Sequence, residues 1–387
     1  MPDRFEPPPY PYDRLDALKA QASVVDGGLV DLSIGTPCDP MPAVVVWAMA
    51  ESADSGIGYP PSIGTGGLRD AACGWMERRL GVSVAPNQVT ACVGTKEAVT
   101  SLPHLLRLRD PSRDTVLYPA VSYPSYEMGA VLAGCRAFAI LPDTAWHPDL
   151  DRVPDDVAAR ALVLWLNEPA NPTGSVATAD WYARAVRWAR DRGVIVASDE
   201  CYAEFTGGHE RTSALTAGHD GVLVLHSLSK RSNMAGYRCG FLAGDADLVA
   251  YAASVRTHAG MMVPAPIQAA ATAAWNDDAH VEVQRARYAE RRRYARRRLA
   301  EAGLVDAGGP SSFYLWARSA DPTEDGWAVT ARLAGTGTLV AAGDLYGEGG
   351  AAFVRIALVE PLERLELAFD RIVATHRPAV PTGGNQS

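Results

Sequence analysis

Four stretches of the 387-residue chain put reactive side chains directly after apolar runs. Gly94-Thr95-Lys96 follows Val89–Val93 and opens a helical pattern. Its free backbone N–H groups and the helix dipole suit a phosphate. The turn Asn167-Glu168-Pro169-Ala170-Asn171-Pro172-Thr173-Gly174 follows Ala161–Leu166, and Asp199-Glu200-Cys201-Tyr202 follows Val194–Ser198. Ser227-Leu228-Ser229-Lys230 follows Val222–His226, with Arg238 eight residues beyond the lysine. Each stretch alone has a plain reading: a helix start that binds nothing, a tight turn, a capping acid, a solvated lysine. Together they set an anion cradle, an acid, a tyrosine and an amine where open α/β sheets bind ligands, beyond the carboxyl ends of the strands. Arg355 is the only charge in the apolar run Phe353–Leu358 and shares a face with Phe353 and Ala357. A buried arginine requires an anion, which a structural acid or a ligand could supply.

The elements that must position these groups alternate regularly. Short apolar strands are expected at Val89–Val93, Thr115–Tyr118, Ala137–Leu141, Ala161–Leu166, Val194–Ser198, Val222–Ser227 and Cys239–Ala243. Helical patterns lie between them, including Leu68–Leu80 stopped by Gly81 and Trp181–Arg192 stopped by Gly193. Such runs predict a parallel sheet covered on both faces. After about residue 279 a long helix leads to strands at Ser312–Trp316, Thr338–Ala341 and Phe353–Leu358 and a last helix from Leu362, the pattern of a smaller α+β domain. The proline-rich residues 1–12 read as an extended arm that cannot start a helix, with Asp13 capping a short helix over Arg14–Ala22. The expected division is an arm and part of the small domain over 1–45, a large domain over 46–280, a small domain over 281–378 and a flexible tail over 379–387.

Composition narrows the partners. At 48% hydrophobic and 21% charged residues the chain is an ordinary globular protein. Its net charge of −9 argues against nucleic acid, which needs a basic face. The Arg-rich run Arg285–Arg298 reads as a solvated helix with one buried stripe of Val281, Tyr288, Ala295 and Leu299. Six scattered cysteines without a CxxC pair argue against zinc and suit reduced thiols in a cytoplasmic protein. The amino-terminal segment has no apolar signal region, and no stretch is long enough to span a membrane.

The order GTKEA, NEPANPTG, DECY and SLSKRSNMAGYRCG resembles the fold-type I pyridoxal-5′-phosphate (PLP) aminotransferases of class I/II over roughly Tyr10 to Arg371. The resemblance implies an α/β fold: a large domain with a mostly parallel seven-stranded sheet between helices, plus a smaller α+β domain. It implies that Lys230 carries PLP as a Schiff base and moves the substrate proton, which requires a partly deprotonated amine. Asp199 would pair with the pyridine nitrogen, Tyr202 and Asn171 would bond the ring 3-oxygen, and Tyr123 would stack on the ring. The backbone of Thr95 and Lys96 and the side chains of Ser227, Ser229 and Arg238 would hold the phosphate. Arg355, Gly35 and Asn171 would bind the substrate α-carboxylate, and Tyr59 would reach the phosphate site of the partner in a homodimer.

Three readings stay open on these residues: an aminotransferase, another PLP reaction such as an elimination, and a non-catalytic PLP-binding regulator. The regulator would normally bring a DNA-binding domain, for which no room is expected before the arm, while an elimination would share the cofactor residues and Arg355; transamination is preferred. Within aminotransferases, PPPYPYDRLDALK, DLSIGTPCDP and YPPSIGTGGLRDA are similar to the actinobacterial-type N-succinyldiaminopimelate enzymes. That implies glutamate and N-succinyl-2-amino-6-oxopimelate as substrates. Aspartate, alanine, aromatic or LL-diaminopimelate substrates are the alternatives.

Overall fold

The computed structural model describes residues 5–311 and 313–376. The tail 379–387, and Ser312 at the start of one expected strand, lie outside them. A seven-stranded sheet runs in the order Val89–Cys92, Gly240–Gly244, Val222–Ser227, Ile195–Asp199, Ala161–Asn167, Thr115–Pro119, Arg136–Ile140. All pairings are parallel except those of Gly240–Gly244, which is antiparallel to both neighbours. Only short helical turns separate Ser227 from Gly240, too little chain for the crossover that a parallel neighbour needs. Every residue of Ala161–Asn167 and of Val222–Ser227 is buried, as expected for strands with helices on both faces. One core packs Trp75, Trp275 and Phe241 against one face, and a second packs Leu102, Tyr126 and Trp165 against the other.

The register brings the chemistry to one edge. Asn167 lies opposite Asp199, and Asp199 opposite Leu225, so the segments after three adjacent strands emerge side by side.

A four-stranded antiparallel sheet, Ala341–Ala342, Phe353–Ala357, Tyr314–Ser319, Leu304–Asp306, carries Arg355 on its second strand. The expected strand Thr338–Ala341 divides. Thr338–Leu339 pairs in parallel with Val30–Asp31, while Ala341–Ala342 joins the four-stranded sheet, so this segment passes from one sheet to the other. The arm also departs from expectation. A 3-10 turn starts at Pro11, where a preset φ helps and no N–H is needed. Asp13 lies inside that turn and does not cap the helix Asp16–Ser23, which begins after Leu15.

In the helix Ala279–Leu299 the expected stripe is buried, but Arg291 and Arg292 also turn inward. Arg291 clamps Asp39 through contacts of 2.6 and 2.8 Å, and Arg292 donates to the carbonyls of Tyr314 and Gly309, both at 2.7 Å. The run is therefore in part an internal brace, not only a solvated face.

Candidate active site

A cavity of about 470 Å³ opens at the carboxyl edge of the large sheet, against the small sheet. Twelve of the thirteen residues expected at a site line it: Gly35, Thr95, Lys96, Tyr123, Asn171, Asp199, Tyr202, Ser227, Ser229, Lys230, Arg238 and Arg355. Tyr59 does not. It is 98% exposed on the outside of this chain.

Asp199 ends its strand and is buried at the cavity floor. Its carboxylate accepts from the Tyr126 hydroxyl at 3.0 Å and the Cys201 N–H at 3.2 Å. No cation pairs with it among the described residues, and burial pushes its pKa up. Asn167 braces the floor, donating to the Asp199 carbonyl at 2.8 Å and accepting from the Asn171 N–H at 2.9 Å.

Arg355 is the opposite case. It is 2% exposed and no carboxylate lies in contact with it among the described residues, so the structural ion pair is ruled out there. Its guanidinium donates to Asn171 Oδ1 at 2.8 Å and to the Ser33 carbonyl at 2.6 Å, while Nε has no partner. The rings of Tyr314 and Tyr346 flank it, with centroids at 4.3 and 4.8 Å. A buried acid without a cation and a buried guanidinium without an anion share one cavity. Isolated buried charges are costly enough that such sites are normally completed by a partner.

Lys230 follows the strand Val222–Ser227, on a single turn started by Ser227 Oγ accepting from the Ser229 N–H at 3.1 Å. Its Nζ bonds the Gly35 carbonyl. Burial, with Arg355 and Arg238 nearby, pulls its ammonium down to about 8. That is the partly free amine required of a nucleophilic lysine.

At the other end of the cavity, Gly94 precedes the helix Thr95–Arg109 with φ of +75°. A Cβ there would lie 2.0 Å from the Arg238 guanidinium, so only glycine lets the arginine cover the helix N-terminus. Arg238 has no acidic partner among the described residues, and its backbone is also left-handed at φ of 53°. Free amides, hydroxyls and a fork-shaped cation face one spot, the donor set that suits a phosphate.

Sequence reasoning missed several lining groups. Tyr126, three residues after Tyr123, bonds Asp199 from the floor of the cavity. Tyr314 bonds the Tyr202 hydroxyl at 2.9 Å from a strand whose neighbour carries Arg355. Cys201 places its sulfur 3.2 Å from Thr95 Oγ1. Tyr10 and Tyr12 come from the arm. The one available signal was tyrosine recurring in PPPYPY within a segment otherwise built for extension.

The family model of class I and II aminotransferases matches residues 28–372. The chain belongs to that family. It is 42% identical over 372 residues to the 4-dedimethylamino-4-oxo-anhydrotetracycline transaminase OxyQ of Streptomyces rimosus, covering 95% of this chain and 99% of that one. It is 33% identical over 374 residues to the LL-diaminopimelate aminotransferase of Aquifex aeolicus, covering 94% and 96%. Among solved structures it superposes on a probable N-succinyldiaminopimelate aminotransferase from Thermus thermophilus with a TM-score of 0.84, 33% identity and coverage of 94% and 99%. The aminotransferase uses pyridoxal 5′-phosphate and acts on small amino and oxo acids. Its residues fit that cofactor: Asp199 lacks a cation, Lys230 has a depressed pKa, and Gly94 keeps a cradle that a Cβ would fill. Among the described residues no helix is long and apolar enough to cross a membrane.

Proposed function

We propose that this aminotransferase moves an amino group between glutamate/2-oxoglutarate and N-succinyl-LL-2,6-diaminopimelate/N-succinyl-2-amino-6-oxopimelate. One observation carries the substrate. Besides Lys230 and the phosphate-side Arg238, the cavity holds two cations with no carboxylate partner among the described residues: Arg355, buried, and Lys96, at the rim. That arrangement suits a substrate with a carboxylate at each end. Among the described lining residues the only acid is Asp199 on the floor, so no second carboxylate among them would receive the distal ammonium of unmodified diaminopimelate. Succinylation removes that ammonium and supplies a carboxylate instead.

Within this reading Asp199 would face the pyridine nitrogen and keep it protonated. Asn171 gives its Oδ1 to Arg355 and so retains Nδ2 to donate to the ring 3-oxygen, alongside Tyr202. Tyr123, which lines the cavity, would pack against the ring. Thr95 and Lys96 amides with Ser227, Ser229 and Arg238 hold the phosphate. Arg355, with the Gly35 backbone and Asn171, grips the α-carboxylate. Lys230 would anchor the cofactor and would then carry the proton between the substrate α-carbon and the cofactor C4′, the shift that transamination requires. When bound, pyridoxal phosphate supplies the electron sink for the pair left behind by that proton. Tyr59 completes the phosphate site of a second chain in a homodimer, in keeping with its exposure.

A second reading, amino transfer to a fused-ring ketone, draws on the 42% identity to OxyQ. The deciding experiment compares kcat/KM for N-succinyl-LL-2,6-diaminopimelate, LL-diaminopimelate, aspartate, alanine, an aromatic amino acid and a 4-oxo-anhydrotetracycline acceptor. The succinylated compound should lead. Any other exceeding it by more than about tenfold, roughly 1.4 kcal/mol of transition-state binding, overturns the substrate assignment.

A further inference from the structure

The arm crosses the mouth of the cavity. Its anchor is on the small-sheet side. The Tyr12 hydroxyl bonds the Tyr346 hydroxyl at 2.7 Å, Arg14 pairs with Asp344 at 3.0 Å and lies over the Trp327 ring, and Leu15 is buried with Leu345 and Trp316. Its reach is to the large-sheet side. The Tyr10 ring stands 4.8 Å from Lys96 Nζ and stacks on Tyr12 at 5.6 Å with an interplanar angle of 27°. Tyr346 in turn flanks Arg355. The side chains Lys96, Tyr10, Tyr12, Tyr346 and Arg355 form an unbroken series of contacts joining the two cations.

The sequence explains why a thin arm can hold this line. Pro7, Pro8, Pro9 and Pro11 fix φ at four positions around Tyr10, so little backbone freedom is lost when the tyrosines are presented. Tyr10 stays 47% exposed, so its outer face meets solvent while its inner face meets the cation.

We propose that Tyr10 is a specificity-determining residue and Tyr12 a positioning residue of this aminotransferase. The arm fixes Lys96 and Arg355 at a set separation and thereby selects substrates that carry two distant carboxylates. The inference rests on the reading of Lys96 given above. Tyr10 acts at the far end. Its ring face holds an otherwise mobile ammonium in place by cation–π attraction and screens it from water, which strengthens its grip on a carboxylate. Tyr12 acts at the near end, through Tyr346, on the orientation of Arg355.

The test is calorimetric titration of the PLP-loaded enzyme with pimelate and with heptanoate. These seven-carbon acids have two carboxylates and one, and no amino group to react. The wild-type enzyme should bind pimelate about tenfold more tightly than heptanoate, and Lys96→Met should remove that preference. Tyr10→Ala should cut it about fivefold, by weakening pimelate alone, and Tyr10→Phe, which keeps the ring, should restore it. Tyr12→Phe should weaken both acids by the same factor and leave their ratio intact. In kinetics, Tyr10→Ala should raise KM for the dicarboxylic donor with kcat nearly unchanged. A preference lost in Lys96→Met but kept in Tyr10→Ala overturns the role of the arm and leaves the Lys96 reading standing. No preference in the wild-type enzyme overturns both.

Discussion

The free amine of Lys230 gives the most direct quantitative check on the site. An ordinary lysine titrates near 10.5, whereas burial and the neighbouring Arg355 and Arg238 bring this one to about 8. At pH 7 an amine of pKa about 8 is roughly one-tenth unprotonated, against roughly 0.03% for an ordinary lysine, a difference of roughly 300-fold. The sign matters. Lowering a lysine pKa extends the reactive, neutral form to lower pH. In cofactor-free enzyme, the rate of PLP capture, followed by the visible absorbance of the bound form, should rise about tenfold per pH unit and level off near pH 8. Dividing by the rate of a simple alkylamine under the same conditions, expressed per unprotonated alkylamine, cancels the ionisations of PLP itself and leaves the profile of Lys230. Arg355→Met removes one of the two guanidinium charges that oppose the ammonium, so its break should move upward. A capture rate in the parent enzyme that keeps climbing beyond about pH 9.5 would refute the desolvated-amine reasoning.

Arg355→Lys keeps a charge but loses the planar fork, and one of two charge-assisted bonds to the substrate carboxylate goes with it. At about 1.5–3 kcal/mol per bond, kcat/KM should fall roughly 10–150-fold, and a change under threefold would show that Arg355 does not grip substrate. Asp199→Asn removes the charge proposed to face the ring nitrogen, with little change of shape. Breaking a buried pair costs about 3–5 kcal/mol, so kcat should fall roughly 10²–10⁴-fold while cofactor content holds; undiminished turnover would reduce Asp199 to a cap. For Tyr59, mixing Lys230→Ala chains with Tyr59→Phe chains should yield hybrid dimers in which one of the two sites carries neither lesion. Subunit exchange without recovered activity would remove Tyr59 from the neighbouring site.

The sequence was most informative where one residue type carried one demand. Apolar runs such as Ala161–Leu166 marked buried strands because a strand covered on both faces tolerates little else. The acid, the amine and the asparagine turn stood out because they follow those runs, and parallel register then placed them side by side. What stayed hidden depended on contacts far apart in the chain. Arg291 and Arg292 look like their solvated neighbours, but Asp39, Asp306 and the carbonyls of Val359, Gly309 and Tyr314 draw them inward. Tyr10 and Tyr12 sit in a stretch whose prolines dominate any local reading, and their importance appears only when Lys96 and Tyr346 come within reach. The division of Thr338–Ala341 between two sheets was equally invisible, since both halves are short and apolar.

Both uncompensated charges, Asp199 and Arg355, are held by neutral hydrogen-bonding groups. Asp199 is held by a phenol and an amide N–H, Arg355 by an amide oxygen and a backbone carbonyl. Each neighbour orients its charge without cancelling it. A protein acid beside Arg355 would satisfy the guanidinium, and the substrate carboxylate proposed to bind there would have to displace a partner already in place. A protein cation beside Asp199 would compete in the same way with the ring nitrogen proposed to pair with it. Leaving both charges unneutralised costs folding stability and keeps each free for a single visitor. The tyrosines on either side of Arg355 serve the same end. Their ring faces stabilise the cation through the quadrupole, and they carry no formal charge that could take the place of the substrate. The same logic extends to the rim, where Lys96 faces the rings of Tyr10 and Tyr123 instead of an acid. Replacing Tyr10 by a glutamate would therefore hold Lys96 more firmly and still weaken binding of a dicarboxylic substrate.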